Sequence, residues 1–158
     1  MAAFVVLFLQ RSRIGKPTFV EEGKDCSMYP ATPPRVAVIN SSDAILKMVS
    51  MALEEEGYVA IPAHGYQLLE RQESLEQFLA EQAPHVILWD IAPPYDVNWR
   101  YFQEARNLPV MRSRPCILTT TNVGRLREII DTPEAIIEIV GKPYDLEQIL
   151  GAVKKALG

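Results

Sequence analysis

The stretch His85-Val-Ile-Leu-Trp-Asp-Ile-Ala-Pro-Pro94 decides how this chain folds. Val86 to Trp89 is an apolar run too short for an ordinary helix, and it reads as a strand covered on both faces. Asp90 ends that run, and the Pro93-Pro94 pair makes a loop before the next segment. Similar short runs stand on either side of it. Upstream are Val36-Ala-Val-Ile39 and Tyr58-Val-Ala-Ile61; downstream are Pro115-Cys-Ile-Leu118 and the apolar Ile136 to Val140.

Helical spacing fills the intervals. Ile45, Met48, Val49, Ala52 and Leu53 form one apolar stripe, with Ser41, Ser42 and Asp43 as capping candidates and Gly57 as its left-handed stop. Leu68, Leu69, Leu75, Phe78 and Leu79 suggest helical structure before Pro84, with a break near Gln72. Trp99, Phe102 and Ala105 mark a third helix, and a short one runs from about Arg125 to Ile130. Leu146, Ile149, Leu150, Val153 and Leu157 give the last, with Asp145 placed to cap it. Strand and helix thus alternate five times. Each strand–helix–strand passage is a right-handed crossover, so the expected fold is α/β, with a five-stranded parallel sheet, doubly wound, in a single domain.

Composition agrees and narrows the function. The 158 residues carry a net charge of -4, with 48% hydrophobic and 23% charged residues. That composition suits one globular domain and offers no basic footprint for nucleic acid or a membrane surface. No apolar stretch approaches the ~20 residues that span a bilayer. The two cysteines, Cys26 and Cys116, form no CxxC and read as reduced thiols of a cytoplasmic protein. His64 and His85 have no partners at metal-ligand spacing. Residues 1–33 read as a poorly ordered N-terminal extension, and residues 34–158 as the domain. Within the extension an apolar run precedes the basic residues, the reverse of a signal peptide, and Met28 offers an alternative start.

In a sheet of this kind the ligand site lies at the carboxyl ends of the strands. Asn40 and Ser41 follow the first strand, Asp90 the third, Thr120 and Thr121 close the fourth, and Lys142 follows the fifth. A carboxylate can serve as nucleophile and carry an acyl phosphate. A hydroxyl and an ammonium can hold the phosphoryl oxygens whose charge must be stabilised. The set reads as a phosphoryl acceptor.

These residues also carry a resemblance. From about Arg35 to Leu157 the chain resembles the receiver domain of bacterial two-component response regulators, a flavodoxin-like fold. The likeness rests on Asp90 with Pro94 four residues on, Thr120 at the end of the fourth strand, Lys142-Pro143-Tyr144 after the fifth, and Leu53-Glu-Glu-Glu-Gly-Tyr58. The resemblance implies a stand-alone receiver in a phosphorelay, not an enzyme. Asp90 would accept the phosphoryl group from a histidine kinase or phosphotransfer protein, with Mg²⁺ required. Thr120 and Lys142 would contact that group, and the Lys142-Pro143 peptide would be cis. The signal would pass to a protein partner through the face of the last helix, where Lys154 and Lys155 lie; with the chain ending at Gly158, no output domain is expected to follow. The alternative is a degenerate receiver that binds partners without phosphorylation.

Departures from the family pattern bear on that choice. Asn40 and Ser41 stand where the family has two acidic metal ligands, so Asp90 and Ala92 are what remains of the Mg²⁺ site, weak or absent. Asp43 is a helix cap in this reading, because moving it into the acidic position would rotate Ile45, Met48 and Ala52 off the core. With fewer acids nearby, Lys142 could pair directly with Asp90. Ile139 occupies the position of the switch aromatic, Asn98 that of a loop glycine, and Tyr66 to Gln72 looks like extra sequence.

Overall fold

Val36, Val38, Val86, Leu88, Ile117 and Val140 point to one side of a sheet, and Ala37, Ile39, Ile87, Trp89, Cys116 and Leu118 to the other. Both sides are covered, which is why the central strands are apolar throughout instead of alternating with polar residues. The computed structural model describes residues 32–69, 72–130, 136–143 and 145–158. Its strands are β1 (Arg35–Asn40), β2 (Val59–His64), β3 (Val86–Ile91), β4 (Cys116–Thr120) and β5 (Ile136–Gly141). All neighbouring pairs are parallel, in the order β2-β1-β3-β4-β5.

The helices are α1 (Asp43–Glu55), α2 (Gly65–Leu69), α3 (Gln72–Gln82), α4 (Tyr95–Arg106), α5 (Pro109–Arg112), α6 (Val123–Ile129) and α7 (Leu146–Leu157). α1 and α7 cover the aliphatic side through Leu46, Val49, Leu53, Ile149 and Val153. The other helices cover the aromatic side, where Trp89 meets Phe102 edge-on and Phe102 stacks on Trp99. Burying each such side chain contributes about 1.5–3 kcal/mol. Among the described residues no helix is long and apolar enough to cross a membrane.

Local chemistry explains the ends. Gly57, at φ +84°, stops α1 in a Schellman arrangement: its N–H donates to the Glu54 carbonyl and the Tyr58 N–H to that of Leu53, both at 3.0 Å. The Asp145 carboxylate caps α7, accepting from Glu147 N at 3.0 Å and Gln148 N at 3.4 Å. Pro62 lies in β2, an edge strand, where a missing donor is tolerated. The Lys142-Pro143 peptide is cis, and so is Pro93-Pro94.

Several expectations need correction. The stripe on α1 is centred on Leu46, Val49 and Leu53, with Ile45, Met48 and Ala52 only half-buried at its margin. None of Ser41, Ser42 and Asp43 caps α1 with its side chain; the N-cap is Ser42, without a side-chain bond. Leu68 and Leu69 are helical as expected, in α2, which takes up most of the described part of the segment read as extra sequence; the short α5 was not foreseen, although Pro109 at its first position suits a helix start. The third strand extends through Ile91, so Asp90 belongs to it instead of following it. Cys26 and Tyr144, and all but the end of the proposed extension, lie outside the described residues.

Candidate functional site

The chain runs from β1 outward to β2 and then back past β1 to β3, so strand order reverses between β1 and β3. Their carboxyl ends diverge from helices on opposite sides and leave a crevice there. A cleft of about 250 Å³ occupies the place, lined by Ile39, Asn40, Ser41, Gly65, Tyr66, Asp90, Ala92, Pro93 and Asn98.

Asp90 forms its charged wall. The side chain is only 4% exposed, and the Lys142 ammonium lies 2.8 Å from Oδ1 and 2.9 Å from Oδ2, itself 20% exposed. Lys142 is held in turn by its backbone N–H, which donates to the Thr120 carbonyl at 2.8 Å, tying the loop after β5 to the end of β4. The hydroxyl on Asp90 is that of Thr119, donating to Oδ1 at 2.8 Å. Thr120 was expected there and is elsewhere. Side chains alternate across a strand, so Thr119 shares the face of Ile117 while Thr120 shares that of Cys116 and Leu118. The Thr120 hydroxyl is fully buried and accepts from the Asn122 N–H at 3.3 Å.

The opposite wall is neutral. Asn40 is buried at the end of β1, and its Oδ1 accepts from the Ser42 N–H at 2.9 Å in a local turn. Asn98 reaches back from the start of α4, and its Nδ2 donates to the Ala92 carbonyl at 2.7 Å. His64 Nε2 lies 3.1 Å from Asp43 Oδ1, with Tyr66 beside the imidazole. Asp43 is therefore a rim residue on His64, neither cap nor part of the Asp90 cluster. His85 Nδ1 accepts from the Arg35 N–H at 3.0 Å, at the far end of the sheet.

Mg²⁺ requires near-octahedral oxygen ligands at about 2.0–2.1 Å and draws its affinity from carboxylates. The residues here fit it poorly. Both oxygens of Asp90 carry the ammonium, the Ala92 carbonyl carries the Asn98 amide, and Asn40 and Ser41 bring no charge. Among the described residues no cluster of three or more His, Cys, Asp or Glu could hold a metal ion.

Other singled-out residues serve the core. Trp89 packs on the face opposite Asp90, and Ile139 packs against the aromatic core. Cys116 is fully buried, and burial pushes its thiol from the usual 9.0 up to about 11, against the opposing pull of the nearby Arg106 guanidinium. A second connection joins the start of α4 to the segment from the end of β4 into α6. The Tyr95 hydroxyl lies 2.6 Å from that of Thr121, and Arg125 grips Asp96 at 3.0 and 3.1 Å.

No family model matches the chain, and no curated protein matches it. Solved structures do. The chemotaxis response regulator CheY4 of Vibrio cholerae superposes with a TM-score of 0.62 at 21% identity, over 79% of this chain and 99% of that one. A response regulator from Thermotoga maritima gives 0.62 at 19% identity, over 78% and 97%. A putative response regulator from Chloroflexus aurantiacus gives 0.63 at 18% identity, over 80% and 98%. At these identities the likeness is one of fold, and it spans nearly the whole of each solved chain. With five parallel strands in one doubly wound sheet, the chain has the fold of CheY-like response-regulator receiver domains.

Proposed function

We propose that the chain is a receiver-type signalling module that accepts a phosphoryl group on Asp90 and passes its state to a protein partner. One observation supports this most: a carboxylate, an ammonium and a hydroxyl from β3, the loop after β5 and β4 meet within 2.9 Å at the carboxyl end of the sheet. In the reaction a carboxylate oxygen of Asp90 attacks phosphorus. The phosphorus–nitrogen bond of a phosphohistidine donor, on a histidine kinase or phosphotransfer protein, breaks, and the imidazole leaves with the electron pair. Lys142 then moves from carboxylate to phosphoryl oxygen, and Thr119 donates to another. Thr119 takes the role that the sequence pattern assigned to Thr120.

The output surface in this reading is the face of α7, where Lys154 and Lys155 are exposed. A cytoplasmic setting belongs to the same reading, because an unpaired thiol such as Cys116 stays reduced there.

A second reading is favoured by the neutral wall of the cleft. With Asn40 and Ser41 in place of acids, the module would bind its partner without any phosphorylation. Acetyl phosphate and Mg²⁺ separate the two. Intact mass should rise by one phosphoryl group in the native chain and not in Asp90→Asn. No gain, together with no spectral response to beryllofluoride, would leave the phosphorylation-independent module.

A further inference from the structure

Asn98 stands near the start of α4, and its amide sits on the Ala92 carbonyl at 2.7 Å; both residues line the cleft beside Asp90. Lys142 spans both oxygens of the carboxylate. A proton-bearing group thus already occupies each of the two remaining oxygen sites, one a carboxylate and one a backbone carbonyl. A divalent ion would have to displace the amide and share one carboxylate with an ammonium. That leaves excess positive charge in a part-buried cleft whose other wall, Asn40 and Ser41, is uncharged, and uncompensated charge in such a place is strongly unfavourable.

We propose that this cleft is a cation-independent receiver site, in which Lys142 is the resident cation and Asn98 plugs the backbone oxygen that an ion would use. The inference rests on Asp90 as a receiver-type acceptor and adds how its charge is balanced. Asn98 is a positioning residue in it, acting only through the Ala92 carbonyl. The amide forms one ordinary hydrogen bond there, so its removal should change an ion's affinity by about five- to tenfold, the equivalent of one such bond net of solvent.

Mn²⁺ titration of the unphosphorylated full chain, read by electron paramagnetic resonance, tests this without reference to phosphoryl transfer. The native chain should show no saturable binding at millimolar Mn²⁺. Asn40→Asp with Ser41→Asp should create a site, and adding Asn98→Ala should tighten it by that five- to tenfold. Saturable Mn²⁺ binding in the native chain that is lost in Asp90→Asn would overturn the proposal. So would a triple variant that binds no more tightly than the double one. Failure of acetyl phosphate to label Asp90 would bear on the proposed function and leave these metal measurements standing.

Discussion

The two walls of the strand-end cleft solve the same problem in opposite ways. Asn40, at the end of β1, is buried and neutral, and it satisfies its amide oxygen with the backbone two residues on. Asp90, near the end of β3, has a side chain only 4% exposed but charged, and it draws on two other segments, Thr119 of β4 and Lys142 after β5. A neutral polar group needs only a hydrogen bond to be buried, whereas a charge needs a partner of opposite sign. The bond that Asn40 accepts is therefore local. The β3 wall holds three segments together, and it is the wall that can respond to a change of charge.

The sharpest way to break this contrast is Lys142→Met. It strands a carboxylate that is 4% exposed, and the unfolding free energy in urea should fall by about 3–5 kcal/mol. In an Asp90→Asn background the same substitution should cost far less, because no charge is left unpaired. A loss of similar size in both backgrounds would show that Lys142 acts by packing alone.

Thr119→Val and Thr120→Val compare adjacent hydroxyls on opposite faces. The first removes a bond to a carboxylate, and about 2 kcal/mol should be lost; the second removes a 3.3 Å acceptor for one backbone N–H and should cost about 1 kcal/mol or less. Equal losses would deny the special place of Thr119.

Cys116 supplies a pH test outside the cleft. The folded chain holds its thiol proton up to about 11, against an ordinary 9.0, so above that ordinary value the unfolded chain binds fewer protons and stability declines. The loss should be about 1 kcal/mol by about pH 10, as read from the Cys116→Ala difference in urea midpoints, and absent at neutral pH.

The smallest effect belongs to Arg125→Ala. Its Nη2 meets both Asp96 oxygens, but the two side chains are 42% and 65% exposed, and exposed pairs of this kind add little because water screens them. Thermal unfolding should not shift measurably. A clear shift would show that the connection between α4 and α6 is part of the folded domain's stability.

Much of this architecture is legible in the sequence because it depends on local periodicity. Apolar runs such as Val86 to Trp89 and the repeats at Leu146, Ile149 and Val153 are set by what a strand or helix must bury, and they marked five strands and the main helices. Asp90 and Lys142 were legible for a similar reason, since each ends an apolar run and strand ends converge in a parallel sheet. Leu46 was missed because α1 turns a few tens of degrees from the stripe that best fits its apolar residues. Helix orientation about its own axis is settled by the sheet beneath it.

Thr119 marks the limit most clearly. Choosing it over Thr120 requires knowing which face of β4 lies beside Asp90, and that parity follows from the Asp90–Thr119 register across two strands. No count along one strand contains it. Asn98 and Ala92 were both singled out separately, yet their contact depends on how the loop after β3 enters α4. By itself, then, the sequence determined the order of the five strands and the main helices, the doubly wound sheet and the strand-end positions of Asp90 and Lys142, because these arise from short-range patterns of burial. Only the tertiary structure decided which hydroxyl reaches Asp90, which amide covers Ala92 and how the two walls divide charge, because each is a contact between segments that meet only when the sheet has assembled.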